Sequence, residues 1–109
     1  MADVTYYDRS GTAFVNPTAE QAKALWDPAA RRVAEDTVDD VWASTVCIVI
    51  DHSFGVGRPI IFETMTFGPD PWVEQCWRYC TEAEALAGHA EVVRVLRSGA
   101  GPDAVELES

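Results

Sequence analysis

The chain has 109 residues, of which 48% are apolar, and a formal net charge of -10 from 18 acidic and 8 basic side chains. This length corresponds to a single domain, and the apolar fraction is sufficient for one modest core. The acidic charge argues against a nucleic-acid polymer as a partner, because affinity for phosphate backbones comes largely from Lys and Arg. No apolar run approaches the roughly 18 residues of a membrane span, so no membrane partner is expected.

The N-terminus and the cysteines both predict a cytoplasmic protein. The first segment, MADVTYYDRSG, has an acid where a secretion signal needs positive charge, and it lacks an apolar stretch. The three cysteines, at 47, 76 and 80, are odd in number and follow no disulfide framework. Cys76 and Cys80 on one strand would lie about 13 Å apart, too far for one zinc ion or one disulfide. We therefore expect no metal and no cofactor.

The N-terminal third is expected to form a hairpin followed by a short helix. The turn formers of DRSG, residues 8–11, separate two strand-prone segments. Thr18 and Gln21 have the capping-box spacing that marks a helix start. Asp27 precedes a proline and therefore avoids the helical region, so the helix is expected to end there.

Residues 31–51 allow two interpretations. A helix is possible through 31–43, but this stretch shows no clean helical face. The alternative is a hairpin that turns at the Asp-Asp pair, residues 39–40, and continues into a strand at 45–50. The hairpin is favoured, because TVCIVI at 45–50 is rich in β-branched residues.

The C-terminal half predicts two strands and one long helix. Segments 59–68, PIIFETMTFG, and 72–80, WVEQCWRYC, alternate with the period of a strand. Thr81 is expected to cap the helix, with Glu84 three residues on, and Gly99 is expected to stop it. At about 100° per residue, the side of the helix predicted to face the sheet carries Leu86, His89, Ala90, Val93 and Leu96.

Together these elements predict an α+β domain formed by residues 1–98. Its sheet is mainly antiparallel with four to six strands, the C-terminal helix packs on one face, and the short N-terminal helix packs at an end. The remaining residues, 99–109, are short and acidic and are predicted to form a mobile tail.

The loop after the strand at 45–50 combines features of an anion site with those of an ordinary connection. Gly55 and Gly57 permit close approach of the backbone, and Arg58 offers a bidentate fork for phosphate or carboxylate. The segment leads into a strand, however, whereas a phosphate loop leads into a helix. The plain alternative is that the glycines only bend the chain between two strands.

Asp51 and His52 are residue types suited to an acid–base pair or a metal site. Neighbours on a strand point to opposite faces, so the two converge only if His52 already belongs to the loop. If segments 46–51 and 60–67 pair as a hairpin, Glu63 lies opposite Ile48, about 10 Å from Asp51. One metal bound by Asp51, His52 and Glu63 is therefore not expected.

Glu63 is the residue that structure alone explains least, because it shares a strand face with three large apolar side chains. An unpaired buried carboxylate costs several kcal/mol, so Glu63 needs a donor, for which Arg78, Arg58 and His89 are the candidates. A buried Glu-Arg or Glu-His pair would fix the register. Alternatively, Glu63 itself accepts from the base or ribose of a ligand, or acts as a general acid or base with a raised pKa. His89 is expected either to bond to the sheet beneath the helix or to meet Glu63.

Several of these segments resemble a family of small bacteriophage proteins, mainly from phages of actinobacteria. Its pattern is S-T-V, D-H-x-F-G, P-x-x-F-E-T-M, R-Y-x-T and A-x-x-G-H, and YYDRSG and RRVAEDTV are also similar. The matching positions are Ser44, Thr45, Val46, Asp51, His52, Phe54, Gly55, Pro59, Phe62, Glu63, Thr64, Met65, Arg78, Tyr79, Thr81, Ala85, Gly88 and His89. At position 80 the family pattern has serine where this chain has cysteine. The resemblance covers most of the chain except the tail, and it brings no established activity.

The resemblance implies an accessory or counter-defence protein in the cytoplasm of a phage-infected host. The leading hypothesis is a non-catalytic, homo-oligomeric sponge that sequesters a small nucleotide-type signal. In this hypothesis Arg58 and Arg78 hold phosphate, Glu63 accepts from base or ribose, and His52, Phe54 and His89 line the pocket.

Two alternatives belong to other functional classes. The first is a small hydrolase that cleaves such a nucleotide, with Asp51, His52 or His89 as base or metal ligand. The second is an acidic inhibitor that imitates DNA and blocks a basic protein. The acids are scattered along the sequence rather than spaced like phosphates, which disfavours the second alternative.

Overall fold

The computed structural model describes residues 2–107 and shows an α+β fold, which confirms the predicted class. A four-stranded antiparallel sheet has the order β3-β4-β5-β6, and a separate two-stranded sheet pairs β1 with β2. The strands are β1 (Thr5–Tyr7), β2 (Ala13–Val15), β3 (Arg32–Val38), β4 (Val41–Cys47), β5 (Phe62–Phe67) and β6 (Cys76–Tyr79). The α-helices are α1 (Ala19–Trp26), α2 (Pro28–Arg31) and α3 (Glu82–Arg97), and 3-10 turns lie at Pro71–Val73 and Pro102–Ala104. Among the described residues, no helix has the length and hydropathy needed to cross a membrane.

The predicted caps of α1 and α3 are confirmed. The Thr18 hydroxyl accepts from the Gln21 amide at 3.1 Å, and the Gln21 side chain accepts from the Thr18 amide at 2.9 Å. This reciprocal pair satisfies two amides that a helix start leaves without partners. Asp27 ends α1 and caps α2, because its carboxylate accepts from the Ala29 amide at 3.2 Å. The Thr81 hydroxyl caps α3 by accepting from the Glu84 amide at 3.1 Å.

The predicted hairpin at 39–40 is confirmed, since Val38 and Val41 are paired across it and Asp39 has a φ of 54°. Asp tolerates this left-handed conformation better than most residues. The strand predicted at 45–50 begins earlier and ends at Cys47. It ends there because Val49 has a φ of 67°, outside the β region.

The register expected for Glu63 is wrong. Glu63 lies opposite Val46 rather than Ile48, and Ile48 instead donates its amide to the Ile61 carbonyl at 2.8 Å. The turn of the backbone at Val49 shifts the pairing, so that beyond it the His52 amide reaches the Ile60 carbonyl. The expected register assumed that the pairing continues from the loop to Glu63 without interruption, and the irregularity at Val49 breaks that continuity.

Helix α3 covers one face of the sheet, but its buried side differs from the prediction. Leu86 is 48% exposed and Ala90 is also exposed, so these two expected contacts with the sheet are absent. The helix is rotated so that Gly88 contacts the ring of Tyr79, where an added Cβ would lie 2.3 Å from ring atoms. The residues of α3 that are buried are Ala85, Gly88, His89, Val92, Val93, Val95 and Leu96.

The segment predicted as a tail packs partly against the domain. Gly99 follows the end of α3 with a φ of 88°, and Pro102 is buried. Val105 and Leu107 pack against a core cluster formed by α3 and β4, whose members are Val41, Ala43, Val92 and Leu96. The last two residues of the predicted tail, 108 and 109, lie outside the described part of the chain.

Candidate functional site

The residues predicted to form one ligand pocket lie in three separate places. His52, Phe54 and Arg58 lie in the loop between β4 and β5. Glu63 and Arg78 lie on the face of the sheet opposite to α3, and His89 lies between α3 and the sheet. Glu63 and His89 therefore do not meet, because alternate residues of a strand point to opposite faces.

Asp51 stabilises the loop between β4 and β5 rather than pairing with His52. Its carboxylate accepts from the Ser53 amide at 2.7 Å, the Ser53 hydroxyl at 2.8 Å and the Ile60 amide at 2.9 Å. Burial raises the pKa of Asp51, but these hydrogen bonds outweigh it and the net pKa is lowered. His52 instead donates from Nδ1 to the Ile50 carbonyl at 2.8 Å. The loop holds Phe54 in the solvent, with 91% of its surface exposed.

Arg58 and Arg78, the two predicted phosphate ligands, each have a carboxylate partner. Arg58 lies 3.5 Å from Glu84. Arg78 lies directly opposite Glu63 across the β5–β6 pair and donates from Nε to its carboxylate at 3.1 Å. The structure thus contains the register-fixing pair that the sequence offered as one explanation of Glu63. Burial, together with the charge and hydrogen bond of Glu63, raises the pKa of the nearby Cys76 thiol to about 11.

His89 belongs to a chain of hydrogen bonds that crosses the interface between α3 and the sheet. Its Nε2 is 2.8 Å from the Asp36 carboxylate, and its Nδ1 is 2.7 Å from the Thr45 hydroxyl. Thr45 is 2.5 Å from the Thr64 hydroxyl, which accepts from the Tyr79 hydroxyl at 3.1 Å. Because a carboxylate only accepts, a neutral His89 donates from Nε2 and accepts at Nδ1. Each hydroxyl from Tyr79 to Thr45 then donates to the next group along the chain.

The order Asp36–His89–Thr45 is that of a hydrolase triad, in which histidine activates a hydroxyl nucleophile. Thr45 is 0% exposed beneath α3, however, so no substrate reaches its hydroxyl. A buried polar chain that is fully hydrogen-bonded makes the packing of a core specific. We therefore interpret these three residues as a structural element rather than as a catalytic one.

A groove of about 310 Å³ lies elsewhere, between the β1–β2 hairpin, the two N-terminal helices and the end of β4. We call it the N-terminal groove, and it is lined by Tyr7, Asp8, Arg9, Phe14, Gln21, Ala24, Leu25, Ala30, Arg31 and Cys47. Most of these side chains are apolar or aromatic. The charged ones are Asp8, Arg9 and Arg31, which give the lining a formal charge of +1 in a chain of net charge -10.

Arg31 differs from the other arginines in having no acidic partner among residues 2–107. The remaining six pair with carboxylates within 4.0 Å, as Arg9–Glu82, Arg32–Glu35, Arg58–Glu84, Arg78–Glu63, Arg94–Glu91 and Arg97–Asp36. Arg31 donates from Nε to the Cys47 carbonyl at 2.9 Å, and its guanidinium carbon lies 5.1 Å above the ring of Trp26. These contacts hold the guanidinium in place while no described carboxylate neutralises it.

The other two charged residues of the groove have their partners within the chain. Arg9 donates to Glu82 and, from Nη1, to the Arg32 carbonyl at 2.9 Å. The Asp8 carboxylate accepts from Ser10 and Thr12 in the β1–β2 turn. Although burial raises the pKa of Asp8, these hydrogen bonds outweigh it, so that the net pKa is lowered. The Asp8 carboxylate is thus engaged in the hydrogen bonds of the β1–β2 turn. Within the described residues, Arg31 is the charged side chain of the groove whose contacts include no carboxylate.

The N-terminal groove was not found by the sequence reasoning. Its residues come from segments 7–14, 21–31 and 47, which are joined by contacts between distant residues such as the hydrogen bonds of Tyr7 to Val49 at 2.8 Å and of Arg31 to Cys47 at 2.9 Å. The available signal was Arg31 itself, a basic residue three positions after Pro28 in a chain with few bases. The hydrophobic periodicity of the sequence does not predict whether a residue at such a position lines a groove.

Comparison of the chain with protein-family models, with curated proteins and with solved structures finds no match in any of the three. Within residues 2–107, no group of three or more His, Cys, Asp or Glu side chains is placed to hold a metal ion. The candidate site therefore rests on the geometry and charge of the N-terminal groove.

Proposed function

We propose that this chain is a non-catalytic binding protein that captures a small nucleotide-type ligand in the N-terminal groove. The observation that carries the proposal is Arg31, a fixed guanidinium without a described acidic partner, in a groove of an acidic chain that is lined largely by apolar and aromatic side chains. In this proposal the phosphate is bound by Arg31 rather than by Arg58 and Arg78. Those two arginines are both paired with carboxylates.

The lining of the groove suits a ligand with one flat apolar part and one anionic part. A guanidinium binds phosphate through two parallel hydrogen bonds, and the terminal nitrogens of Arg31 are available to donate such bonds. Tyr7 and Phe14 supply aromatic surface on which a base can stack. The volume of about 310 Å³ is at the lower end of the range of small-molecule pockets, which favours a single nucleotide unit.

The resemblance to bacteriophage proteins supports a role for this binding in counter-defence. In that role the protein removes a nucleotide immune signal from the host cytoplasm by sequestering it. Hydrolysis gains no support from the geometry, because Asp51, His52 and His89 do not come together. The DNA-mimic alternative gains none either, since several acids are paired with arginines of the same chain.

The test is calorimetric titration with cyclic di- and trinucleotides, ADP-ribose derivatives and the four nucleoside monophosphates. Arg31→Gln is expected to weaken the binding of any ligand found by about 10- to 100-fold, because a hydrogen bond to a charged group contributes about 1.5–3 kcal/mol. Arg94→Gln changes the charge equally on the exposed surface of α3 and should leave affinity unchanged. A loss of affinity in Arg58→Gln but not in Arg31→Gln would place the ligand in the loop instead. Folded wild-type protein that binds none of these compounds would contradict the proposed function.

A further inference from the structure

Two polar side chains of the N-terminal groove, Asp8 and Gln21, each have one atom without a hydrogen-bond partner among residues 2–107. The hydrogen bonds that Asp8 accepts from the Ser10 amide, the Ser10 hydroxyl and the Thr12 amide all end on Oδ1. Oδ2 accepts none of them and is open to solvent, because no buried side-chain oxygen in this part of the chain lacks a partner. Asp8 therefore stabilises the turn with one oxygen, and its other oxygen is a free acceptor.

The Gln21 side chain has the reverse arrangement. Its Oε1 accepts from the Thr18 amide at 2.9 Å in the cap of α1, so the oxygen is the bound atom and Nε2 is the free one. Gln21 is exposed and lines the groove, and its Nε2 donates to no acceptor within the described residues. The groove thus presents a free acceptor from the β1–β2 turn and a free donor from α1, in addition to the guanidinium of Arg31.

The charges of the groove determine which end of a nucleotide meets these two atoms. The net pKa of Asp8 lies below its usual value, because the hydrogen bonds of the turn outweigh the effect of burial, so its carboxylate is ionised near neutral pH. This carboxylate repels a phosphate that is bound by Arg31. In such a nucleotide the uncharged base is therefore the part that lies against Asp8 and Gln21. Tyr7 and Phe14 supply the aromatic surface for that base in the same groove.

We infer that Asp8 and Gln21 select nucleotides whose base carries an exocyclic amine beside an unprotonated ring nitrogen. The amine donates to Asp8 Oδ2, and the ring nitrogen accepts from Gln21 Nε2. Adenine, cytosine and guanine each present such a pair of atoms. The ring N–H of uracil instead lies between two carbonyl oxygens, which an anionic acceptor repels. This inference rests on the proposed function, because it names the class of ligand that the same groove prefers.

The selection arises from the group that an unsuitable base leaves unpaired. A ligand that covers Asp8 displaces water from Oδ2, and a base without a donor there leaves an ionised oxygen without a partner. A site with a polar group placed to bond its ligand rejects analogues that lack the matching group for this reason. Removal of the amine is therefore expected to weaken binding by about 10- to 100-fold.

Calorimetric titration of the wild-type chain tests the role of the amine. Adenosine, guanosine and cytidine monophosphate are each compared with the analogue in which hydrogen replaces the exocyclic amine. Both members of a pair carry the same phosphate and ribose, so the difference in affinity measures the effect of the amine. The amine-bearing nucleotide that binds most tightly should exceed its analogue by about 10- to 100-fold. Uridine monophosphate should bind more weakly than that nucleotide as well.

Asp8→Asn exchanges the free atom and preserves the hydrogen bonds of the turn. The asparagine oxygen can still accept from Ser10 and Thr12, whereas an NH₂ donor replaces the acceptor Oδ2. This variant should lose the preference for the amine. Asp70→Asn removes the same charge from an exposed residue outside the groove, whose side chain caps no helix, and should retain the preference. Circular dichroism confirms that each variant is folded.

Gln21→Glu tests the donor in the same way, because a glutamate oxygen can still accept from Thr18 while the NH₂ group is lost. It also adds a negative charge, so ribose 5-phosphate, which has the phosphate but no base, is the reference ligand. The affinity for the amine-bearing nucleotide should fall by more than the affinity for ribose 5-phosphate.

The outcomes separate this inference from the proposed function. Equal affinity of the wild type for both members of every pair, tightest binding of uridine monophosphate, or an unchanged preference in folded Asp8→Asn would overturn the inference. If Arg31→Gln still weakened binding, the proposed function would stand without it. The comparison of ligands on the wild type requires no variant, so it decides the matter even if Asp8→Asn does not fold. A folded wild type that binds no nucleotide would contradict the proposed function and this inference with it.

Discussion

Thr45→Val is expected to lower the free energy of unfolding by about 2–4 kcal/mol. The substitution preserves the shape of the side chain but removes the hydroxyl that joins His89 Nδ1 to Thr64. Both groups then remain in a buried site without this partner, and each such loss costs about 1–3 kcal/mol. Chemical denaturation followed by circular dichroism measures the effect through the midpoint and slope of the transition.

Tyr79→Phe is the control for this experiment, because Tyr79 is the terminal donor of the same chain of hydrogen bonds. Its removal takes away one hydrogen bond without breaking the link between the sheet and His89, so a loss of about 0.5–1.5 kcal/mol is expected. If Thr45→Val were no more destabilising than Tyr79→Phe, the chain of hydrogen bonds from Asp36 to Tyr79 would not stabilise the packing of α3 on the sheet.

Gly88→Ala is expected to destabilise the protein by about 1–3 kcal/mol, as overpacking of a core generally does. The effect is opposite to helix propensity, which favours alanine over glycine by about 1 kcal/mol within a helix. It arises because the new methyl group would lie 2.3 Å from ring atoms of Tyr79. Either α3 moves away from the sheet or the ring moves and loses its hydrogen bond to Thr64. Thermal unfolding reports the loss as a lower Tm.

The same substitution in a Tyr79→Leu background isolates the clash. Without the aromatic ring, Gly88→Ala should cost little or become stabilising, since only the gain in helix propensity remains. An equal destabilisation in both backgrounds would show that the ring of Tyr79 is not the reason for glycine at this position.

Local sequence signals predicted most of the elements, although the strand expected at 72–80 begins only at Cys76 and α2 was not expected. Thr18 with Gln21 and Thr81 with Glu84 predicted the starts of α1 and α3, because a cap involves only residues within one turn. The hairpin at 39–40 was predicted from a turn pair next to a β-branched run. The pairing of Glu63 with Arg78 was also among the expectations, since neighbouring strands bring such residues together.

Features that depend on distant contacts were not predicted. The left-handed Val49 changes the strand pairing beyond the end of β4, and its carbonyl is bound by Tyr7, more than forty residues earlier. The rotation of α3 follows from the contact of Gly88 with Tyr79, which a helical wheel does not contain. For the same reason, the sequence did not show that the residues expected to bind one ligand lie in separate places. Strand periodicity already placed Glu63 on one face, but only the packing of α3 shows that His89 lies on the other.

The N-terminal groove does not follow from any periodic pattern in the sequence, because it forms where the β1–β2 hairpin meets α1, α2 and β4. Arg31 is distinguished in this groove by the ion pairs that the other arginines make, and these pairs depend on the fold.

The most direct test of the proposed binding site is a two-dimensional ¹⁵N–¹H NMR titration of the wild-type chain with adenosine monophosphate and with the tightest ligand from calorimetry. The proposal predicts that the shift changes concentrate at residues lining the N-terminal groove, including Arg9, Gln21, Leu25 and Arg31, and that Arg31→Gln suppresses them. Shift changes concentrated at residues 51–60, or none at millimolar ligand, would contradict it.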